Sequence, residues 1–164
     1  REAATIMTAA VEAAGDSLAV HGFSSDGRER VGYQRLKDFS EPFDGVVRAR
    51  LAALSSHHST RLGAAIRHAG RYLAARRAFR RVLLVLTDGE PSDIDVQDPQ
   101  YLTEDARRAV LSLRKDGIDV FAFGLGDGSF RSLDRIAGMH RTLRVPRIET
   151  LPLRVMQLYS HLKK

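Results

Sequence analysis

Val82-Leu83-Leu84-Val85-Leu86-Thr87-Asp88-Gly89-Glu90-Pro91-Ser92-Asp93-Ile94-Asp95 opens as an apolar run and stops at a carboxylate followed by glycine. A strand buried on both faces reads as a short unbroken apolar run, because helices cover each side of a parallel sheet. In open α/β sheets, ligands bind beyond the carboxyl ends of such strands. Asp88 is therefore a candidate binding carboxylate at the rim of a sheet. Taken by itself, Asp88-Gly89 is also an ordinary turn after a strand.

Working outward, the residues before this run place Leu62, Ile66, Ala69 and Leu73 on one helical face. Thr60 or Ser59 is expected to cap that helix, which runs to about Arg76, because a hydroxyl there can accept the first free backbone N–H groups. Upstream, Ala4, Met7, Val11 and Ala14 predict a helix from Arg1 to Ala14, stopped at Gly15-Asp16. Leu18 to Phe23 predicts a buried strand, and Val31 to Phe39 a second strand. Arg35, Lys37 and Asp38 on the second read as the charges that protect an exposed sheet edge, which places it outermost. Phe43 to Leu54 predicts a short helix. Downstream, a polar loop leads to a helix from about Thr103 to Lys115, with Tyr101 packing beneath the loop. A strand from Ile118 to Gly124, a helix from Ser129 to Ala137, a weak strand from Arg141 to Val145 and an amphipathic helix from Leu151 to Leu162 follow.

Alternating strands and helices imply an α/β architecture, a doubly wound and mostly parallel sheet with helices on both faces and right-handed crossovers. The chain has 164 residues, 43% hydrophobic and 28% charged, which suits a single domain over residues 1–164. No apolar run approaches the roughly 20 residues of a membrane span, and a cytoplasmic location is expected. With no cysteine, disulfides, thiolate metal sites and cysteine nucleophiles are excluded within this segment. The net charge of +6 comes mainly from arginine. It favours an acidic partner surface, but the charges are scattered over helices without interleaved aromatics, so nucleic acid is not expected as a partner.

Other motifs carry less. Gly124-Leu125-Gly126-Asp127-Gly128 lacks the spacing of a dinucleotide-binding turn and reads as a strand-to-helix connection. His57-His58 with His68 read as surface residues rather than a metal site, and His21 as a satisfied core or edge residue. Neither a phosphate-binding Gly-x-x-x-x-Gly-Lys-Ser/Thr run nor a Gly-x-Ser-x-Gly elbow occurs, and no residue is assigned a catalytic role.

Asp88-Gly89 after an apolar strand, together with Ser59-Thr60-Arg61-Leu62-Gly63-Ala64-Ala65 opening a helix, resembles the von Willebrand factor A domain with its metal-ion-dependent adhesion site. The string from Leu86 to Asp95, continued by Asp98-Pro99-Gln100-Tyr101-Leu102, looks like the C-terminal domain of the CbbO/NorD proteins, nearer to CbbO. That resemblance implies an adaptor for a hexameric MoxR-type AAA+ ATPase. Its client protein would be Rubisco for a CbbO-like role, or the adaptor would serve nitric oxide reductase maturation for a NorD-like one. It also implies a Mg²⁺-type ion held by an Asp-x-Ser-x-Ser loop, a Thr and an Asp, the last two matched by Thr60 and Asp88.

No Asp-x-Ser-x-Ser occurs here, and the chain opens on Arg1 directly in a helical pattern, so it reads as lacking the first central strand and its loop. The lost strand would lie between the Leu18 and Val82 strands, leaving unpaired backbone on both and a poorly stable fragment. Mg²⁺ takes oxygen ligands and keeps several waters, so hydroxyls with one or two carboxylates suit it. A cation short of negative ligands then accepts a partner's carboxylate. Ser59, Glu90, Ser92, Asp93 and Asp95 are the expected supporting or partner-facing residues around it. A metal-dependent phosphoryl hydrolase using Asp88 with Asp93 or Asp95 is the competing expectation.

Overall fold

In the computed structural model, which describes residues 1–27, 30–54, 61–128 and 130–162, strands and helices alternate along the chain. Helix α1 (Glu2–Ala13) precedes β1 (Val20–Ser25) and β2 (Val31–Lys37), then come α2 (Gly45–Ala52), α3 (Leu62–Ala74) and β3 (Arg81–Thr87). The second half contains α4 (Pro99–Lys115), β4 (Ile118–Leu125), α5 (Arg131–Ala137), β5 (Thr142–Val145) and α6 (Leu151–Leu162). Strands β3, β4 and β5 form a parallel sheet in that order, while β1 and β2 pair antiparallel as a separate ribbon. No ladder joins β1 to β3 among the described residues.

The strand β4 shows why the sheet must be covered on both sides. Its side chains alternate between faces, as any strand's do. Ile118, Val120 and Ala122 enter one apolar cluster with Leu62 and Ile66 of α3, Ala106 and Val110 of α4 and Leu133 of α5. Phe121 and Phe123 enter another with Met7 and Val11 of α1 and Leu151 and Val155 of α6. The neighbouring β3 splits in the same way, Leu83 and Val85 to the first cluster, Val82, Leu84 and Leu86 to the second. The unbroken apolar run that marked β3 thus reflects contact with a cluster on each face rather than on one, although its residues are only partly buried. A third, small cluster of Leu36, Val47 and Leu51 holds α2 to the ribbon.

Several boundaries differ from the sequence expectation. Helix α4 begins four residues earlier than the expected Thr103, because Asp98 caps it by accepting from Gln100 N at 2.9 Å and Pro99 takes the first turn, where its missing N–H costs nothing. Tyr101 consequently sits on that first turn, 58% exposed, rather than beneath the loop. Arg61 occupies the cap position of α3 and makes no side-chain cap bond, because a guanidinium carries donors and no acceptor; the expected capping residues Thr60 and Ser59 lie outside the described residues. On β2, Lys37 is not an edge charge: it is 1% exposed and donates to Glu12 Oε1 at 3.0 Å, Leu18 O at 3.1 Å and Asp38 O at 3.2 Å. A buried ammonium persists only when its donors are matched in this way.

The carboxyl end of β4 is held by close packing. A Cβ at Gly124 would stand 2.5 Å from Phe130 Cδ1, so the ring lies directly against the strand backbone. Gly124→Ala is expected to push the ring off the sheet and lower stability by about 1–3 kcal/mol. A thermal melt of the variant that superposes on the parent would show that Phe130 can move at no cost.

Candidate functional site

The parallel strands present their carboxyl ends along one rim, at Thr87, Leu125 and Val145. At the first of these, the Thr87 hydroxyl donates to Gly89 O at 2.9 Å and accepts from Gly89 N at 3.3 Å. This local bracket turns the chain sharply and leaves Asp88, between the two, exposed. Among the described residues, Asp88 has no hydrogen-bond or ion-pair partner. Glu90 and Ser92 are exposed on the same loop.

Asp93 behaves differently. It is 8% exposed, and its carboxylate accepts from Ser25 Oγ at 3.1 Å, Gly27 N at 2.9 Å and Ile94 N at 2.7 Å, and from Arg61 Nε. Arg61 turns its Nη2 to Asp95, and its own backbone N–H donates to Ser25 Oγ at 3.1 Å. Gly27 reaches this position with φ +74°, where a Cβ would be strained, and its open side faces Asp95. Burial alone would raise the Asp93 pKa, but the Gly27 and Ile94 N–H groups, the Arg61 guanidinium and the Ser25 hydroxyl outweigh it and hold the carboxyl below its ordinary range. One knot therefore ties three segments, the end of β1, the start of α3 and the loop after β3.

The structure thus separates the predicted residues. Asp88, Glu90 and Ser92 lie on the open surface of the loop, whereas Asp93 is buried and Asp95 is paired with Arg61. Thr60 and Ser59, and with them His57 and His58, lie outside the described residues. Arg61, Ser25 and Gly27 were not picked out by the sequence. Arg61 adjoins Thr60, but no spacing rule links Ser25 to an aspartate 68 positions on. No group of three or more His, Asp or Glu side chains that could hold a metal occurs among the described residues. Of the acidic side chains from Asp88 to Asp95, Asp88 at the strand end is a hard oxygen donor left free, while Asp93 and Asp95 are engaged by Arg61.

His21 is only half satisfied. Its Nδ1 bonds the Tyr33 hydroxyl, and its Nε2 is buried with no partner. Burial, then the neighbouring His68, lowers its pKa, and burial pushes Tyr33 up to about 12. The pair belongs to an aromatic cluster with Tyr72 and His68, away from the strand ends.

The model of the von Willebrand factor type A domain family matches residues 4–155. An uncharacterized protein of Pseudomonas aeruginosa is 41% identical over 155 residues, 94% of this chain and 25% of that protein. The protein NorD of Brucella abortus is 34% identical over 162 residues, 99% of this chain and 26% of that protein. The chain therefore spans about a quarter of the length of these curated relatives. A solved structure of proximal thread matrix protein 1 from the mussel byssus, with a zinc-occupied MIDAS motif, has the same fold with a TM-score of 0.60, at 16% identity over 95% of this chain and 42% of that one.

Proposed function

Because the chain belongs to the von Willebrand factor type A domain family, we propose that it is the protein-binding domain of a NorD-type adaptor, which couples a client protein to a MoxR-type AAA+ ATPase hexamer in the cytoplasm. The observation that carries this reading is the contrast between Asp88, exposed at the end of β3 and unpaired among the described residues, and Asp93, buried in a fixed network on the same loop. Asp88 with Thr60 would hold a divalent ion, Mg²⁺ by its preference for hydroxyl and carboxylate oxygen, and that ion when bound supplies an open position for a client carboxylate. Zinc in the metal-ion-dependent adhesion site of the mussel relative supports a divalent ion in this class of site.

The chain's own residues do the positioning. Arg61 bridges Asp93 and Asp95, so its one positive charge offsets half of theirs and braces the loop. Glu90 and Ser92, exposed on the loop, meet the client first and select against surfaces that bring more acid than the site can accept. The engagement of Asp93 and Asp95 by Arg61 also weighs against the hydrolase reading, which relies on one of these two beside Asp88. The domain binds and does not catalyse.

Relatives named NorD at 34% and 39% identity favour the NorD role, hence nitric oxide reductase maturation. The second reading is a CbbO-like role with Rubisco as client, and it rests on the string from Leu86 to Asp95. Both predict the same test. In the full-length protein, Asp88→Ala is expected to abolish client activation and leave assembly with the ATPase intact. Undiminished activation would remove Asp88 from the mechanism. Turnover of a phosphomonoester by the protein alone with Mg²⁺ would revive the hydrolase.

A further inference from the structure

A second recessed surface lies on β5, the outer strand of the parallel sheet and two strands from Asp88. It is a cavity of about 520 Å³ between β5 and α6. Thr142, Leu143 and Arg144, three consecutive residues of β5, all line it. Successive side chains of a strand point to opposite faces, so three in a row can border one cavity only if the strand's edge looks into it. Among the described residues no second strand pairs with that edge. The opposite wall is Arg154, Gln157, Leu158 and His161, which at spacings of three, four and seven form one face of α6.

The charge on this crease has one sign. Arg144, Arg154, His140 and His161 line it, and among the described residues no carboxylate does. Arg154 Nη1 donates to Gln157 Oε1 at 2.9 Å, but its Nε is buried with no hydrogen-bond partner. Arg144 pairs with Asp134 at 3.0 Å while 63% exposed, the kind of surface pair that contributes little and exchanges readily. Phe121, Leu143 and Leu158 supply apolar surface between the charges.

We propose that the crease between β5 and α6 binds an extended, acidic segment of a partner protein, added as a strand to β5 with its carboxylates on Arg144 and Arg154. Main-chain hydrogen bonds to the free edge provide affinity, and alternate side chains of the segment are read by the helix wall. The charge-assisted bonds to the two guanidinium groups choose acid over neutral sequence. This surface is independent of the Asp88 rim, so an adaptor built this way would hold two protein segments at once.

The test begins with displayed random octapeptides panned against the full-length protein. Enriched peptides are expected to carry Asp or Glu at alternate positions. They should bind the Arg144→Gln/Arg154→Gln variant about tenfold or more weakly, the effect of losing charged hydrogen bonds. Methylating alternate backbone nitrogens of the peptide should abolish binding with its charge unchanged. Circular dichroism of the double variant, unchanged from the parent, verifies its fold. Absence of enrichment, equal binding to the double variant, or indifference to backbone methylation each overturns the proposal. Saturable binding of inorganic phosphate, measured by calorimetry and lost in the same variant, would assign the crease to a small oxyanion instead.

Discussion

Lys37→Met is expected to lower the unfolding free energy by about 3 kcal/mol, seen as a large fall in the urea midpoint. The aliphatic stem is replaced at similar volume, so packing is nearly kept. What is lost is the ammonium that serves Glu12 Oε1 and the carbonyls of Leu18 and Asp38. The two carbonyls belong to the backbone and cannot be substituted away, and an unpaired buried acceptor costs about 1–3 kcal/mol. Glu12, about one-third exposed, leaves an oxygen acceptor behind in Glu12→Gln, so that variant should cost less than Lys37→Met although the buried ammonium loses its counter-charge. This asymmetry is the discriminating result. If Lys37→Met and Glu12→Gln shift the midpoint equally, the ion pair matters and the carbonyls do not.

Asp93→Asn should be comparably severe, about 3–5 kcal/mol, and its effect should be felt at the rim. An amide keeps the shape of the carboxylate but turns an NH2 toward a ring of donors, Ser25, Gly27, Ile94 and Arg61, and leaves Arg61 with Asp95 alone. Hydrogen exchange at the Gly27 and Ile94 amides is the direct readout and should accelerate strongly. Rates that stay at the parent level would mean that the knot does not brace the loop.

The same residue sets an acid dependence. The folded Asp93 pKa lies below the unfolded value of about 3.9, so its stabilisation is fully present above that value and is lost as pH falls through the folded pKa. Asp38, Glu41 and Glu104 are depressed too, chiefly by the Tyr72 hydroxyl, the Asp38 N–H and the Arg135 guanidinium, so the whole protein should weaken in that window. The part owed to Asp93 is isolated by its variant: the stability gap between parent and Asp93→Asn should be constant above about pH 5 and narrow below pH 4. A gap independent of pH would contradict the assignment.

Strand β3 and the position of Asp88 were legible because their signals are local: an unbroken apolar run, then a turn pair. Helix α6 was bounded correctly at Leu151–Leu162 for the same reason, its apolar face repeating at helical spacing. The start of α4 was missed although Asp98-Pro99 is a cap followed by a first-turn proline, a signal outweighed by the polar composition of the loop before it. Lys37 and Asp93 show the limit more sharply. Each is a charged residue in a stretch where charge ordinarily marks solvent, and each is buried because partners from distant segments, together with one adjacent backbone group, match its donors or acceptors.

The amino-acid pattern alone decides that helices clothe both faces of a parallel sheet here, since periods of two and 3.6 are written in consecutive side chains and need no partner to be read. It also determines that an aspartate ends β3. Which aspartate stays free and which is locked away is a matter of assembly. Asp88, Asp93 and Asp95 are chemically alike along the chain, and only the arrival of Arg61, Ser25 and Gly27 from other parts of the fold turns two of them into internal bracing. Electrostatic pairing acts through space over a few ångströms, so its outcome is set by tertiary neighbours rather than by sequence distance.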